Sequence, residues 1–242
     1  MRILQLNVWL GKNKHSLLRF FRENQFDVIC LQEGVWSEDN PKQLEFFAAT
    51  VDEIKEASGL RNEIRSSQWR VGFSKGGFMN QGPVILTNQN ISNYEVKEIC
   101  GEFIEDWDFR KENQLHLYTA IKAELENGFT ILTYHGYWQP EPIGNKDTIE
   151  MMSRVAGMIK GKGKVVMCGD LNVVAESPAM RELDFLKDLT AEHEVKRTLS
   201  GLGWDLDIAC DHILVSQDVN VHDFQVLPDM ISDHFPLVAE VS

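Results

Sequence analysis

The feature that most constrains the fold of this chain is a set of short runs in which consecutive residues, rather than alternate ones, are apolar. Runs such as 28–31 and 165–168 contain no polar residue at all. Strands of that composition are typical of sheets covered on both faces. Nine strands are predicted, at 3–8, 28–31, 83–86, 115–123, 129–133, 165–168, 213–215, 219–226 and 237–241.

Three other segments have the 3.6-residue periodicity of amphipathic helices. Their apolar stripes are Leu17, Phe20 and Phe21; Leu44, Phe47, Ala48, Val51 and Ile54; and Ile149, Met152, Ala156 and Ile159. The spacing of Asp147 and Glu150 predicts a capping arrangement for the third helix, which we expect to stop at 161–163. Helices alternate with strands in two places and consecutive strands dominate elsewhere, which favours mixed sheets in a layered α/β sandwich.

The chain is predicted to form one domain over residues 1–242. No repeat, low-complexity stretch or long linker divides it, and 242 residues with 43% apolar content can bury one α/β core. No apolar run approaches the roughly 18 residues of a membrane span, and no basic region leads into an apolar signal, so we expect a cytoplasmic protein. Four widely separated cysteines argue against zinc-ribbon or paired-thiol chemistry. The oligomeric state stays open.

The formal net charge of −13 bears on the partners of this chain. Proteins that hold long nucleic acids nonspecifically gain most of their affinity from basic surfaces that neutralise phosphates. Extended nonspecific nucleic-acid binding is therefore disfavoured. A small phosphate-ester substrate remains compatible with the charge, since bound divalent cations offset local negative charge.

Polar residues stand where the predicted strands end or begin. Four runs lead into polar residues and two others begin with them, and the residues concerned are Asn7, Glu33, His135, Asp170, Asn172, Asp211, Asp233 and His234. In an extended chain Asp170 and Asn172 project to the same side, being two residues apart. If the two strands that begin with acids run opposite to the other four, all eight groups meet at one edge.

Such a meeting would create a site of carboxylates, amides and imidazoles. Carboxylate and amide oxygens suit Mg²⁺ or Mn²⁺, and Glu33 is the natural principal ligand. A histidine beside carboxylates suits phosphate binding or proton transfer near neutral pH. Taken alone, each residue is more often structural, and Asp205 and Asp207 compete with Asp211 for the acid that orients His234.

Seven short motifs follow one another along nearly the whole chain. They are LNVW at 6–9, LQE at 31–33, GPVIL at 82–86, YHG at 134–136, GDLN at 169–172, DHILVS at 211–216 and SDHFPL at 232–237. In number, order and spacing they resemble the metal-dependent endonuclease/exonuclease/phosphatase superfamily. The resemblance implies a four-layer α/β sandwich with two packed mixed β-sheets flanked by helices, and an active site at one end of the sheets.

The resemblance also implies a metal site. By that resemblance, Glu33 holds the catalytic Mg²⁺ or Mn²⁺, and Asn7 and Asp233 contribute directly or through water. Many nuclease members carry an acid two positions after the first-strand asparagine, where this chain has Trp9. A second metal site and a role in DNA repair therefore lose support.

Five further residues take catalytic roles by the same resemblance. Asp170 would position or deprotonate the attacking water, or serve the leaving oxygen. Asn172 and His135 would hydrogen-bond the phosphate. His234, oriented by Asp211, would stabilise negative charge on the phosphoryl oxygens.

These features predict a Mg²⁺- or Mn²⁺-dependent hydrolase of phosphate esters, of the phosphodiesterase type, acting by in-line attack of water. Two alternatives remain: a DNA or RNA nuclease of the same fold, and a phosphate- or protein-binding module without turnover. The loops at 69–81, 101–113 and 137–146 are expected to select the substrate, because loops on a rigid scaffold usually do. Packing is favoured over ligand stacking for four tryptophans, Trp9, Trp107, Trp138 and Trp204.

Overall fold

The computed structural model describes residues 1–74, 76–108 and 115–242. Its strands are β1 (Arg2–Asn7), β2 (Val28–Trp36), β3 (Asn62–Arg65), β4 (Trp69–Gly72), β5 (Phe78–Thr87), β6 (Ile91–Cys100), β7 (Tyr118–Leu125), β8 (Thr130–Tyr134), β9 (Val165–Asp170), β10 (Leu186–Asp188), β11 (Asp211–Ser216), β12 (Val221–Val226) and β13 (Leu237–Val241). Its α-helices are α1 (Lys14–Glu23), α2 (Pro41–Glu45), α3 (Val51–Ser58), α4 (Lys146–Ile159) and α5 (Leu189–Glu192), and two 3₁₀ helices span Trp9–Gly11 and Pro178–Leu183.

The strands form two mixed sheets. The first has the order β12-β13-β1-β2-β5-β3, with β4 also paired to β5, and the second has the order β10-β11-β9-β8-β7-β6. Strands β1 and β2 are parallel, as are β8 and β9. Strand β13 is antiparallel to β1 and β11 is antiparallel to β9. The strand directions required for the predicted convergence are therefore present within each sheet.

The two sheets pack face to face, and their outer faces are covered by helices. Along β1, Ile3 belongs to the core between the sheets, whereas Leu4 and Leu6 pack with the apolar stripe of α1. On the second sheet, Leu132 and Met167 pack with the apolar side of α4. The central strands thus have two buried faces, as the unbroken apolar runs predicted. The predicted four-layer sandwich is confirmed.

The second predicted helix is wrong as a single element. Helix α2 ends at Glu45 and α3 begins at Val51, and the side chain of Phe47 between them is 65% exposed. The break has a local cause, since Thr50 accepts the backbone N–H of Glu53 and the Glu53 carboxylate accepts that of Thr50. This capping box starts a new helix in the middle of the apolar stripe.

The cap of the third predicted helix also differs from the expectation. Asn145, rather than Asp147, caps α4, and its side chain accepts the backbone N–H groups of Asp147 and Thr148. The predicted pairing of Asp147 with Glu150 is therefore wrong. The helix ends at Ile159, just before 161–163, as predicted.

Strands β3, β4, β6 and β10 were not predicted. They are short or rich in exposed charged residues, as strands near sheet edges often are, so they lack an unbroken apolar run. Strand β4 pairs with the beginning of β5, and most of 69–81 is therefore a β-hairpin instead of the expected loop. The expected loop at 101–113 falls partly outside the described residues.

No helix in the described ranges is long and apolar enough to cross a membrane. All four cysteines are free thiols. The strands of the two sheets extend from residue 2 to residue 241.

Candidate active site

The predicted polar residues come together at one end of the sandwich. Asn7, at the end of β1, donates one hydrogen bond to Glu33 Oε1 at 3.2 Å and another to Asp170 Oδ2 at 3.0 Å, and the second bond joins the two sheets. One cavity of about 400 Å³ is lined by seven of the eight predicted residues, namely Asn7, Glu33, His135, Asp170, Asn172, Asp233 and His234. Asp211, the eighth, lies buried behind His234.

Strand alternation explains why Asp170 and Asp211 point between the sheets. In β9, Val166 and Cys168 belong to the inter-sheet core, and Asp170 follows two residues later on the same face. In β11, Ile213 belongs to the same core, and Asp211 precedes it by two residues. Because alternate side chains of a strand lie on the same face, the face that holds the apolar core also holds the acids at the cavity.

Glu33 owes its direction to a β-bulge. Strand β2 pairs with β5 at Leu31 and again at Gly34, and between these pairs β2 has two residues where β5 has one. Regular alternation would place Glu33 on the same face as Leu31, which packs on the helix side. The bulge, with a φ of 56° at Glu33, instead turns the carboxylate into the cavity.

Backbone strain is concentrated around this site. Of the six non-glycine residues with positive φ in the described part of the chain, four belong to its segments: Trp9, Leu10, Glu33 and Asn172. Two of these conformations are held by site side chains, because Asn7 Oδ1 accepts the Trp9 N–H and Asp170 Oδ1 accepts the Asn172 N–H. Such conformations persist only when surrounding contacts enforce them.

Asn172 reaches the cavity by a turn and not along an extended strand. Strand β9 ends at Asp170, and Asn172 has a φ of 55°, so the expectation that both project from one extended chain is wrong. Asn172 Nδ2 donates to Gly136 O at 3.0 Å, and the Gly136 N–H donates to Asp170 O at 2.7 Å. A Cβ at Gly136 would lie 2.0 Å from Leu171 O, so this close approach requires glycine.

His234 is oriented by Asp211. Its Nδ1 lies 2.8 Å from Asp211 Oδ2, and the Asp211 side chain is fully buried. Asp205 and Asp207 instead form exposed ion pairs with Arg197. Of the three acids considered from sequence, Asp211 is therefore the one in contact with His234.

A buried amide network that sequence reasoning missed supports Asp211. Gln5 Nε2 donates to Asp211 Oδ1 at 3.2 Å and lies 2.6 Å from Gln32 Oε1, and Gln32 Nε2 donates to Thr133 Oγ1 at 2.9 Å. Ser232 Oγ, 2.7 Å from Asn7 O, similarly ties the Asp233 segment to β1. Gln5 and Gln32 interrupt apolar runs, and that interruption was the available signal.

Asp170 and His234 carry opposite charges in the site, because their pKa values shift in opposite directions. Burial alone raises the pKa of Asp170, but His234, His135 and the N–H groups of Asn7 and Asn172 outweigh burial and lower it. Burial alone lowers the pKa of His234, but Asp211 and Asp170 outweigh it and raise the pKa well above the usual value. Asp170 is therefore an acceptor and His234 Nε2 a donor at neutral pH.

The oxygen-rich side of the cavity fits a hard divalent cation. Burial, with the charges of Glu33 and Asp170, raises the pKa of Asp233 to about 6 against the opposing effect of His234 and Ser232. Part of the raised pKa reflects repulsion between the nearby carboxylates, and a bound divalent cation would offset this repulsion.

A second cluster in the described residues has three potential ligand atoms within 4.8 Å of one another, from Asp170, Cys210 and His234. Burial and the neighbouring acids raise the pKa of Cys210 to about 12, so its sulfur is a thiol and a poor ligand. The carboxylate and amide oxygens are the better donor set for a metal.

The remaining walls of the cavity are aromatic. Trp69, Trp107, Trp138 and Trp204 line it, together with His116 and Tyr118. The side chains of Trp138 and Trp204 are 58% and 60% exposed, so the prediction that they serve packing is wrong for these two. Trp107 stacks on Trp69 with ring centroids 5.5 Å apart, as a packing role requires, but it also faces the cavity.

The protein is thus a two-sheet α/β sandwich with a site of carboxylate, amide and histidine side chains at one end of its central strands. Residues 4–234 match the model of the Endonuclease/Exonuclease/phosphatase family, and the chain belongs to that family. Its members are generally hydrolases of phosphate esters. A search of the curated proteins finds no match.

Solved structures with a similar fold include two that are described as phosphatases. An endonuclease/exonuclease/phosphatase from Beutenbergia cavernae has a TM-score of 0.72 and 15% identity, covering 100% of this chain and 71% of that one. A mannosyl-6-phosphatase from Bacteroides thetaiotaomicron has a TM-score of 0.62 and 16% identity, covering 100% and 99%. A 3′ phosphatase from Neisseria, bound to a product DNA hairpin, has a TM-score of 0.66 and 17% identity, covering 100% and 99%.

Proposed function

We propose that this chain is a Mg²⁺- or Mn²⁺-dependent hydrolase of phosphate esters, of the phosphodiesterase type. One observation above all supports the proposal. The Asp170 carboxylate is ionised, lies 3.5 Å from His135 Nε2 and 3.7 Å from His234 Nε2, and faces a cavity that Glu33 and Asp233 also line. A proton acceptor, two phosphate-binding donors and a cation site thus share one cavity.

The metal would be held by Glu33 and Asp233, with Asn7 contributing directly or through water. Asn7 donates its amide hydrogens to Glu33 and Asp170 and so also fixes the position of both carboxylates. When bound, the metal supplies Lewis-acid stabilisation of charge on the phosphoryl oxygens.

The remaining residues perform proton transfer and charge stabilisation. Asp170 accepts the proton of the attacking water, since its lowered pKa keeps it ionised. His234 keeps Nδ1 on Asp211 and presents Nε2 to a phosphoryl oxygen, where its positive charge offsets the charge that grows there. His135 and Asn172 lie beside the same carboxylate and would hydrogen-bond the phosphate.

The two alternatives are weaker for identifiable reasons. A nuclease is compatible with the fold, and a Neisseria relative holds DNA, but no lysine or arginine of the described ranges lines the cavity. Trp9 also stands where nucleases often have an acid. A binding module without turnover would not need the complete set of eight polar residues.

The test is hydrolysis of bis(p-nitrophenyl) phosphate and p-nitrophenyl phosphate by the purified protein with Mg²⁺ or Mn²⁺, and with chelator. We expect turnover of the diester above that of the monoester, lost in chelator, and reduced on the order of 10²-fold in His234→Ala. No turnover of these or of generic nucleotide and lipid esters would support the binding module. Cleavage of a labelled oligonucleotide at low salt would support the nuclease.

The metal assignment has its own test in Glu33→Gln, with Glu38→Gln as a matched control. Glu38 is an exposed acid five residues away, outside the cavity lining. Losing the principal charged ligand should raise the Mg²⁺ concentration needed for half-maximal activity in Glu33→Gln only. A wild-type metal requirement in that variant would mean that another residue is the main ligand.

A further inference from the structure

The cavity wall away from the carboxylates is a continuous strip of aromatic rings. Trp69 and Trp107 stack with an interplanar angle of 19°, and His116 and Tyr118 stack at 4.3 Å with the same angle. Trp107 joins the two pairs by an edge contact with His116 at 5.2 Å. All four rings line the cavity, and the exposed Trp138 lines it too. The Trp107 and His116 rings meet at an interplanar angle of 81°, so the strip forms an aromatic corner beside the end of the site that would bind phosphate.

Gln81 places an amide on this wall. Its side chain is 3% exposed and lines the cavity, and its Oε1 is buried without a hydrogen-bond partner. Gln81 is paired across the hairpin with Trp69, so both side chains project from the same face. An unpaired buried amide oxygen destabilises the folded protein, and a ligand with a donor group would relieve that cost.

His116 adds a hydrogen-bond acceptor to the same wall. Its Nδ1 lies 2.8 Å from Leu117 O, and because a carbonyl oxygen only accepts, Nδ1 carries the hydrogen. Burial lowers the pKa of His116 to about 4, with the Leu117 carbonyl opposing and His135 adding to the shift. The imidazole is therefore neutral near pH 7, and its Nε2 has a lone pair to offer.

Charge and size restrict what this wall can hold. In the described part of the chain, the cavity lining contains no lysine or arginine, so several phosphates would lack counterions there. A volume of about 400 Å³ is near the lower end of ligand pockets, which suits one ring system and one phosphate. A quaternary ammonium or an alkyl chain would leave the Gln81 amide unpaired, because neither can form a hydrogen bond.

We propose that this wall binds the organic part of the substrate as an uncharged flat heterocycle with hydrogen-bonding edges, a nucleobase in a small nucleotide ester. The ring stacks on the tryptophans of the strip while its edge faces Gln81 and His116. Glutamine amides read the paired donor and acceptor of a base in the same way in nucleic-acid complexes. The phosphate end of this inference rests on the proposed function, whereas ring binding requires neither metal nor hydrolysis.

The experiment is calorimetric titration of nucleoside 5′-monophosphates into the protein in chelator, with phosphocholine and hexyl phosphate as non-heterocyclic controls. The variants are Gln81→Met, Trp138→Ala and the matched control Gln68→Met. Gln68 is a fully buried amide with both polar atoms unpaired, next to the hairpin but outside the cavity lining. Both glutamine variants should raise Tm, because each removes an unpaired buried polar group.

Only the cavity variants should weaken binding. We expect at least one mononucleotide to bind at least tenfold tighter than the non-heterocyclic controls, and its Kd to rise roughly tenfold or more in Gln81→Met and Trp138→Ala but not in Gln68→Met. Equal binding of hexyl phosphate or phosphocholine, an unchanged Kd in Gln81→Met, or no nucleotide binding would overturn the inference. So would an affinity that grows with each nucleotide of an oligonucleotide series, since that indicates a polymer.

The experiments distinguish a failure of the proposed hydrolase from a failure of the proposed ring site. Nucleotide binding in chelator without turnover of any ester in Mg²⁺ or Mn²⁺ would reject the proposed hydrolase and retain the ring site. Metal-dependent turnover of bis(p-nitrophenyl) phosphate that is indifferent to Gln81→Met, with no preference for nucleotides, would retain the hydrolase and reject the ring site.

Discussion

Replacing Asp211 by asparagine tests the charge arrangement of the site with little change of shape. Asp211 is fully buried and contacts His234 Nδ1 at 2.8 Å through Oδ2 and Gln5 Nε2 at 3.2 Å through Oδ1. An asparagine can keep its oxygen on one of these donors and must place its amide nitrogen toward the other. The substitution therefore removes one negative charge and one good hydrogen bond while the packing is retained.

The size of the effect follows from the distance between the charges. At an effective dielectric constant of about 20, two unit charges about 4 Å apart interact by about 4 kcal/mol. If between half and all of this is expressed in the transition state, kcat falls by between about 30-fold and about 10³-fold. The sign of the pH dependence also follows. Burial lowers the pKa of His234, and without Asp211 the charge of Asp170 is the main one left to oppose it, so the pKa falls relative to the intact site. The cation is then lost more readily as pH rises, and the defect is larger at pH 8 than at pH 6.

The assay is the pH dependence of kcat for a phosphate diester at saturating Mg²⁺, with Tm measured in parallel. Asp207→Asn is the matched control, because Asp207 is an exposed acid paired with Arg197 at 3.4 Å, and such surface pairs contribute at most about 1 kcal/mol. We expect wild-type activity in the control. An Asp211→Asn enzyme within about threefold of wild type, or one equally impaired at both pH values, would refute the reasoning.

Three further substitutions test other contacts. Asp233→Asn should stabilise the metal-free protein by up to about 3 kcal/mol above pH 6 and by nothing below about pH 4, because the folded protein raises the pKa of Asp233 to about 6 and resists its ionisation. Thermal unfolding in chelator across this pH range measures the gain in stability, and a gain that does not depend on pH would contradict the prediction. Gly136→Ala should destabilise by roughly 1–3 kcal/mol, since its Cβ would lie 2.0 Å from Leu171 O, and an unchanged Tm would show that the turn can move. Gln5→Leu leaves a buried oxygen of Asp211 without its donor and should cost about 1–3 kcal/mol in urea unfolding, with wild-type stability as the contrary result.

Strand alternation made part of the site predictable from sequence. Asn7, Asp170 and Asp211 each continue the inter-sheet face of a buried strand, so a polar residue at the end of an apolar run could be placed at the end of that face. The antiparallel direction of β13 then brought Asp233 and His234 to the same end. The family resemblance supplied roles that alternation alone does not give.

Other parts of the site depend on backbone conformations that the sequence pattern does not show. Glu33 reaches the cavity only through a bulge, and Asn172 only through a residue with positive φ. Neither residue type requires such a conformation, because contacts made elsewhere in the fold enforce it. Both residues were therefore predicted to lie in the site, but they reach it through a bulge and a turn and not by continuing an extended strand.

Sequence analysis assigned substrate selection to segments that contain the aromatic wall, but for a different physical reason it could not place those side chains together. Trp69 and Gln81 share a face because β4 and β5 pair in one particular register, and a shift of one residue would turn Gln81 away from the cavity. Register is set by contacts between strands, not by the composition of either strand. Strand β4 itself was not predicted, because it is short and lacks an unbroken apolar run. The end of the site that would bind phosphate is thus determined largely by residues at strand termini, which can be recognised in the sequence. The end that would select the organic group is determined by the pairing of a hairpin, and a relative with the same strand-end motifs but another hairpin register should accept a different substrate.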